Sequence, residues 1–309
     1  MTLLYLFAYL SILIFLLLIG RKLIKYSSMP VHLRWELYPV AHEANKNEYG
    51  GSRYEEINWW EKESRKDHLA ELLVMLEEIF LLKGVYTNNR KLWYFSYPFH
   101  LGLYLIIATA FLMLSAAVLN VCSVVSFVDP HRTLDAALFY FTDVAGFAGI
   151  LLTFIGCSGL VVMRSTDSKY RQYNAPVDFI NLAFIMVLDL SIFLTLILSN
   201  GSFVLSKEFI RNLVTFNFTP IREPFFAVHI ILISLFLIYF PLTRMTHLFA
   251  KYFTYHKVRW EDEPNLGGTN LERRIKEALN FGVGWSAPHI ESGKSWGEVA
   301  TKLPSEVKR

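Results

Sequence analysis

His229 and His247 stand 18 positions apart in a stretch of sequence with almost no charge. On a helix turning by about 100° per residue, 18 steps are about five full turns, so both rings leave one face. At a rise of about 1.5 Å they lie roughly 27 Å apart, close to the thickness of a bilayer's hydrocarbon core. A third histidine, His100, opens another long apolar segment. Ionisable groups within a membrane are costly and tend to be functional. Facing histidines from two helices are a common way to hold a haem iron by both axial positions. The pattern predicts a membrane-embedded haem b with two imidazole ligands. Such an iron has no open position, which suits it to electron transfer rather than oxygen chemistry.

The elements that carry these residues follow from composition. Of 309 residues, 53% are hydrophobic and 16% aromatic, and the mean hydropathy is +0.34, more apolar than most soluble domains. Residues 2–20 and 98–128 carry no Asp, Glu, Lys or Arg, and the segments near 134–163, 176–200 and 223–250 carry few. A span needs about 20 such residues. The expected fold is an all-α integral membrane protein of five transmembrane helices. Its organisation is a first span at 1–20, a cytoplasmic insertion at 21–95, a four-helix haem-binding core at 96–250 and a cytoplasmic tail at 251–309. The stretch 58–83 has helical periodicity and predicts an amphipathic helix lying on lipid or on a partner. Residues 30–39, with two prolines, read as an ordered loop. The tail combines a charged helix at 269–281 with a stretch at 282–297 that keeps Trp285 and Trp296, aromatics that suit docking on a partner.

Charge sets the expected orientation. Lys and Arg number 12 in residues 21–97 and 10 in 251–309, whereas the opposite connections carry only Arg132 and then Lys207, Arg211 and Arg222. The positive-inside bias puts the N-terminus outside and the insertion and C-terminus in the cytoplasm, in a cytoplasmic (inner) membrane. His100 and His247 then fall at one depth near the cytoplasmic face, where they clamp one haem, and His229 lies near the outer face. Arg244, one turn before His247, is placed to pair with a haem propionate; the competing reading is a positive-inside anchor. Asp143 and Asp189 are carboxyls within spans, where burial without a partner favours the neutral form. Asp143 shares the outer depth with His229, which suggests a quinol site with a proton exit; Asp189 is expected only to pack. Cys122 and Cys157 read as buried spectator thiols, too few for an iron–sulfur cluster. The remaining histidines, His32, His42, His68, His131, His256 and His289, lack metal-ligand spacing and read as surface or interface residues. No inverted repeat or broken-helix pair points to a transporter, and nucleic acid is not an expected partner.

The segment Phe225-Phe-Ala-Val-His229 through Phe240-Pro-Leu-Thr-Arg244-Met-Thr-His247 resembles the last helix of the gamma subunit of respiratory nitrate reductase. Phe99-His100-Leu-Gly102 resembles the start of that family's second helix, Gly156, Gly159 and Arg164 its third, and Asp178 its fourth. The resemblance covers about 96–250. The tail phrase Trp285-Ser-Ala-Pro-His289-Ile and Lys294-Ser-Trp296-Gly-Glu-Val-Ala-Thr301 is similar to tails of membrane subunits of heterodisulfide-reductase-like complexes and of related complexes of sulfate reducers. This resemblance implies electron transfer between menaquinol or menaquinone and a cytoplasmic iron–sulfur subunit. An outer-face cytochrome c is a further candidate partner, on which the sequence itself is silent. The family's second helix has another histidine ten residues after the first, and here that position is Ala110. One haem is therefore expected, with His229 released to a quinone; a second haem would need Met113 or His131 opposite His229. The family's basic residue near the start of the third helix, linked to quinone binding, falls at Tyr140, whose phenol still donates a hydrogen bond. A quinone pocket near the inner haem is the rival to the outer one. A redox-inactive membrane anchor that recruits soluble subunits is the alternative function.

Overall fold

Long apolar runs in lipid must satisfy every backbone N–H and C=O internally, and without a closed barrel only the helix does so. The computed structural model of the chain describes residues 2–29, 44, 56–62, 65, 67–126, 132–171, 174–198, 201–256, 265–287 and 290–301. Among them the elements are helical: α1 Thr2–Ser28, α2 His68–Leu81, α3 Lys83–Asn88, α4 Arg90–Val121, α5 Thr133–Thr166, α6 Ser168–Arg171, α7 Pro176–Leu198, α8 Val204–Val214, α9 Pro224–Tyr239, α10 His247–His256, α11 Asn270–Leu279 and α12 Trp296–Ala300. Among the described residues, five segments are long and apolar enough to cross a membrane: α1, α4, α5, α7, and α9 extended to Leu242. The chain is an all-α, multi-pass membrane protein. It divides into two compact units, one of Met1–Leu16 and Val74–Phe240, the other of Leu17–Leu73 and Pro241–Arg309.

In the first unit α4 and α5 pack antiparallel along a seam of small residues. A Cβ on Gly156 would meet the Phe99 backbone, its Cα at 2.6 Å, and one on Gly102 would meet Thr153 and the Gly149 carbonyl at 2.7 Å. Small residues let helix backbones approach where no hydrophobic drive separates helix from lipid. Gly156→Ala is accordingly expected to force the two helices apart and to cost about 1–3 kcal/mol of overpacking; thermal unfolding in detergent that matches wild type would refute this close fit. Beyond the seam, Met113 and Ala116 of α4 meet Ile150 of α5, Ile192 and Leu196 of α7, and Phe203. The start of α1 joins the same unit through Tyr5 and Ala8, which pack with Phe209 of α8 and Phe226 and Ile230 of α9. The Tyr5 hydroxyl donates to the Thr219 carbonyl at 2.9 Å, and the Tyr9 hydroxyl to that of Leu213 at 2.6 Å.

Boundaries differ from expectation in physically sensible ways. The helix of the first span continues past residue 20 to Ser28, because Arg21, Lys22 and Lys25 are themselves good helix formers. α4 starts at Arg90 rather than 96, where the Asn89 side chain accepts from Leu92 N at 3.1 Å and caps it. The amphipathic stretch is not one helix. A 3-10 turn at Trp59–Glu61 precedes α2, and Asp67 begins α2 by accepting from Ala70 N at 2.9 Å. α8 lies in the connection between α7 and α9, for which the sequence pattern predicted no element. In the tail, Thr269 caps α11, and a Ser295–Glu298 capping box starts α12. Between them Val283 N donates to Lys294 O at 2.7 Å, which brings the Trp285 and Trp296 rings within 6.4 Å. The loop 30–39 and His32, His42, His131 and His289 lie outside the described residues.

Candidate functional site

His100 sits in the third turn of α4, turned away from the α5 seam that takes its neighbours Phe99 and Gly102. Its Nδ1 lies 2.7 Å from the Ser96 carbonyl oxygen. A carbonyl only accepts, so Nδ1 carries the proton and Nε2 the lone pair. Phe99 stands edge-on to the ring at 5.2 Å and Tyr104 lies at 6.4 Å. Further along α4, Ile107, Phe111 and Leu114 leave an apolar surface exposed. This donor set, a basic Nε2 in apolar surroundings with Nδ1 tied to backbone, fits an axial haem ligand.

His247 and Arg244 belong to the second unit. Here the structure corrects one premise: His229 and His247 are not on one continuous helix. α9 ends at Tyr239, 3-10 turns occupy Phe240–Leu242 and Arg244–Thr246, and His247 begins α10. Pro241 has no N–H and its ring clashes with the preceding turn, so the regular periodicity cannot run through it. Thr243 restarts the chain by accepting from Met245 N at 3.1 Å. Lys22 of α1 fixes this turn from within the same unit, donating to Thr246 Oγ1 at 2.9 Å and to the Thr243 carbonyl at 3.3 Å. His247 and Arg244 are both exposed. The His247 Nδ1 donates to the Arg244 carbonyl at 3.2 Å, the tautomer that His100 also adopts.

His229, in the second turn of α9, lies 2.8 Å by Nδ1 from the Ser191 hydroxyl of α7. Ser191 has one hydroxyl hydrogen and gives it to the Leu188 carbonyl at 2.7 Å. It therefore accepts from His229, whose Nε2 also holds the lone pair. Phe226, one turn earlier, stacks beside the ring at 6.4 Å.

Asp143 is not a lone buried acid, which corrects the second premise. Lys207 of α8 reaches down to it, with Nζ 2.6 Å from Asp143 Oδ1 and no exposed side-chain surface. The same ammonium donates to the Phe139 carbonyl at 3.1 Å and sits over the Phe139 ring. Burial pulls the Lys207 ammonium below its ordinary range, and Asp143 pushes it back. Tyr140 joins neither group. It is 64% exposed, its ring edge-on to Phe139. Met113 is buried in the apolar cluster, and Ala110 is exposed. Asp189 is 4% exposed, with Oδ2 buried and without a hydrogen-bond partner among the described residues. Cys157 is buried and donates to the Leu182 carbonyl at 3.3 Å; Cys122 is exposed at the end of α4, against the reading of both thiols as buried.

Sequence reasoning missed Lys207, Ser191 and Lys22. For Lys207 a signal existed: Leu205, Phe209 and Leu213 recur every four residues in a long connection, the mark of an amphipathic helix that must pack on something.

The nitrate reductase gamma subunit family matches residues 85–261, which include α4 through α10 and all six expected site residues. The chain belongs to this family. It is also 24% identical over 223 residues to the Hdr-like menaquinol oxidoreductase cytochrome b-like subunit of Archaeoglobus fulgidus, a match covering 63% of this chain and 60% of that protein. No solved structure matches the chain. Among the described residues, no group of three or more His, Cys, Asp or Glu is placed to hold a metal ion; a bis-imidazole haem asks only for two histidines.

Proposed function

We propose that this chain is a membrane cytochrome b subunit passing electrons between menaquinol or menaquinone and a cytoplasmic iron–sulfur partner of heterodisulfide-reductase-like type. Family membership and the name of the Archaeoglobus relative support it. The observation that carries it is that His100 and His247 each donate Nδ1–H to a backbone carbonyl of their own chain segment, which fixes the tautomer a haem iron requires. His100 and His247 would hold a haem b, and Arg244 would meet a propionate. Haem, when bound, supplies one-electron redox chemistry. His229 would accept a quinol proton on Nε2, since Ser191 already takes Nδ1–H and fixes the ring. Asp143, paired with Lys207, provides charge near that end of the bundle, and Tyr140 is the phenol at the family's basic position. The N-terminus lies outside and the C-terminus in the cytoplasm of an inner membrane, as the distribution of Lys and Arg supports. The tail, with Trp285 and Trp296 exposed, faces the soluble partner, and an outer-face cytochrome c is a further electron partner.

The purified subunit is expected to show the reduced spectrum of a low-spin b-type haem at about one haem per chain. A spectrum that stays flat after haem supplementation would instead identify a redox-inactive anchor. His229→Ala is expected to keep that haem but slow its reduction by a quinol analogue by roughly 100-fold, the lower end of general acid–base effects. Unchanged reduction would assign His229 a structural role; loss of half the haem would make it a ligand of a second one.

A further inference from the structure

Trp93, Tyr97, His100 and Tyr104 recur on α4 at spacings of four, three and four, so they share one face. The C-terminal end of α2 lies along that face. The Tyr104 hydroxyl donates to the Ile79 carbonyl at 2.9 Å, and Trp93 Nε1 donates to the Leu81 carbonyl at 2.8 Å. Two of the last four carbonyls of α2, which a helix leaves without internal partners, are thus satisfied by α4. Phe80 stands edge-on to the Tyr104 ring at 5.9 Å, and Trp93 stacks on Tyr97 at 4.7 Å. The turn that follows is held tightly. Leu82 takes a left-handed φ of 50°, unusual for a branched side chain, and the Glu78 carboxylate accepts from Gly84 N at 2.7 Å. Tyr104 is the next residue along the face from His100, at 6.4 Å between ring centres.

We propose that the C-terminal end of α2 is the electrostatic wall of the His100 site. Its carbonyl end and the Glu78 carboxylate lower the redox potential of the haem that His100 holds, and Trp93 and Tyr104 are the positioning residues that keep it there. This rests on the reading of His100 as a haem ligand. A helix C-terminus carries partial negative charge, and the Glu78 carboxylate adds a formal one. Oxidised iron carries one positive charge more than reduced iron, so negative potential beside its ligand favours the oxidised form. The insertion therefore does more than lie on lipid, although Leu69, Leu72 and Leu73 on α2 remain exposed for that purpose.

A redox titration of the full chain in lipid nanodiscs tests this. Glu78→Gln keeps an acceptor for Gly84 N, sits at a half-exposed position and removes one charge; its haem midpoint is expected to rise with haem content unchanged. Tyr104→Phe keeps the ring and drops the tie to Ile79; it is expected to shift the midpoint or the low-spin EPR signal. Wild-type midpoint and EPR signal in both variants, with haem retained, would overturn the proposal. If Tyr104→Phe does not fold, Glu78→Gln alone decides. A wild-type chain that takes up no haem would overturn the functional reading and this inference with it, an outcome distinct from an unshifted midpoint.

Discussion

Replacing either His100 or His247 by alanine is expected to remove the low-spin b-type spectrum of the protein. Six-coordinate low-spin iron needs both imidazoles, and one alone leaves an open position that water or solution ligands enter. Loss of even an outer partner of a metal ligand costs about 10–100-fold in affinity, so loss of a ligand itself is expected to lower haem content by at least ~10-fold. The two variants should behave alike although their residues belong to different units of the chain. Pyridine haemochrome content and the reduced-minus-oxidised spectrum check this. Wild-type haem in both variants would refute the pairing. Arg244→Gln, one turn away, is expected to keep the spectrum and weaken retention only, because a propionate contact is not a bond to iron.

Lys207→Met is expected to destabilise the bundle by about 3–5 kcal/mol, the cost of leaving one buried charge of a pair uncompensated. Asp143, itself buried, would then face an apolar side chain in place of the ammonium. The loss has a diagnostic feature. A buried ion pair repays its own desolvation poorly, so replacing both partners by apolar residues of similar volume is close to neutral. The Asp143→Leu, Lys207→Met double variant is accordingly expected to recover most of the stability that either single change loses. Thermal unfolding in detergent, run as a double-mutant cycle, reads this directly. Additive losses would show that the two side chains do not act as a pair. If the double variant is stable yet slow in reduction by a quinol analogue, the pair also serves the quinol end of the bundle, as the proposed function requires.

The spans were legible because lipid leaves the backbone few choices, so an uncharged run of about 20 residues dictates a helix. The ligand candidates were legible for a related reason: a histidine in such a run needs a purpose. His100 and His229 each lie on a predicted span, and the hydrogen bonds to Ser96 and Ser191 give both rings a defined tautomer. Near His247 the reading failed locally. Counting turns assumed an unbroken helix, and Pro241 ends it. The proline was visible, but 3-10 turns that carry a chain past a proline depend on an outside anchor, here Lys22 from a helix more than 200 residues away.

By itself, then, the order of residues determined the membrane class and the number of spans and marked the candidate imidazoles, because each follows from hydropathy and side-chain chemistry. Partnership was decided by tertiary structure. Whether Asp143 stood alone or paired with Lys207, whether Tyr140 faced the bundle or its exterior, and where the end of α2 lay against α4 all depend on which helix faces meet. Those meetings are fixed by close packing, such as that at Gly102 and Gly156, and by polar contacts across long sequence separations, which no local period encodes.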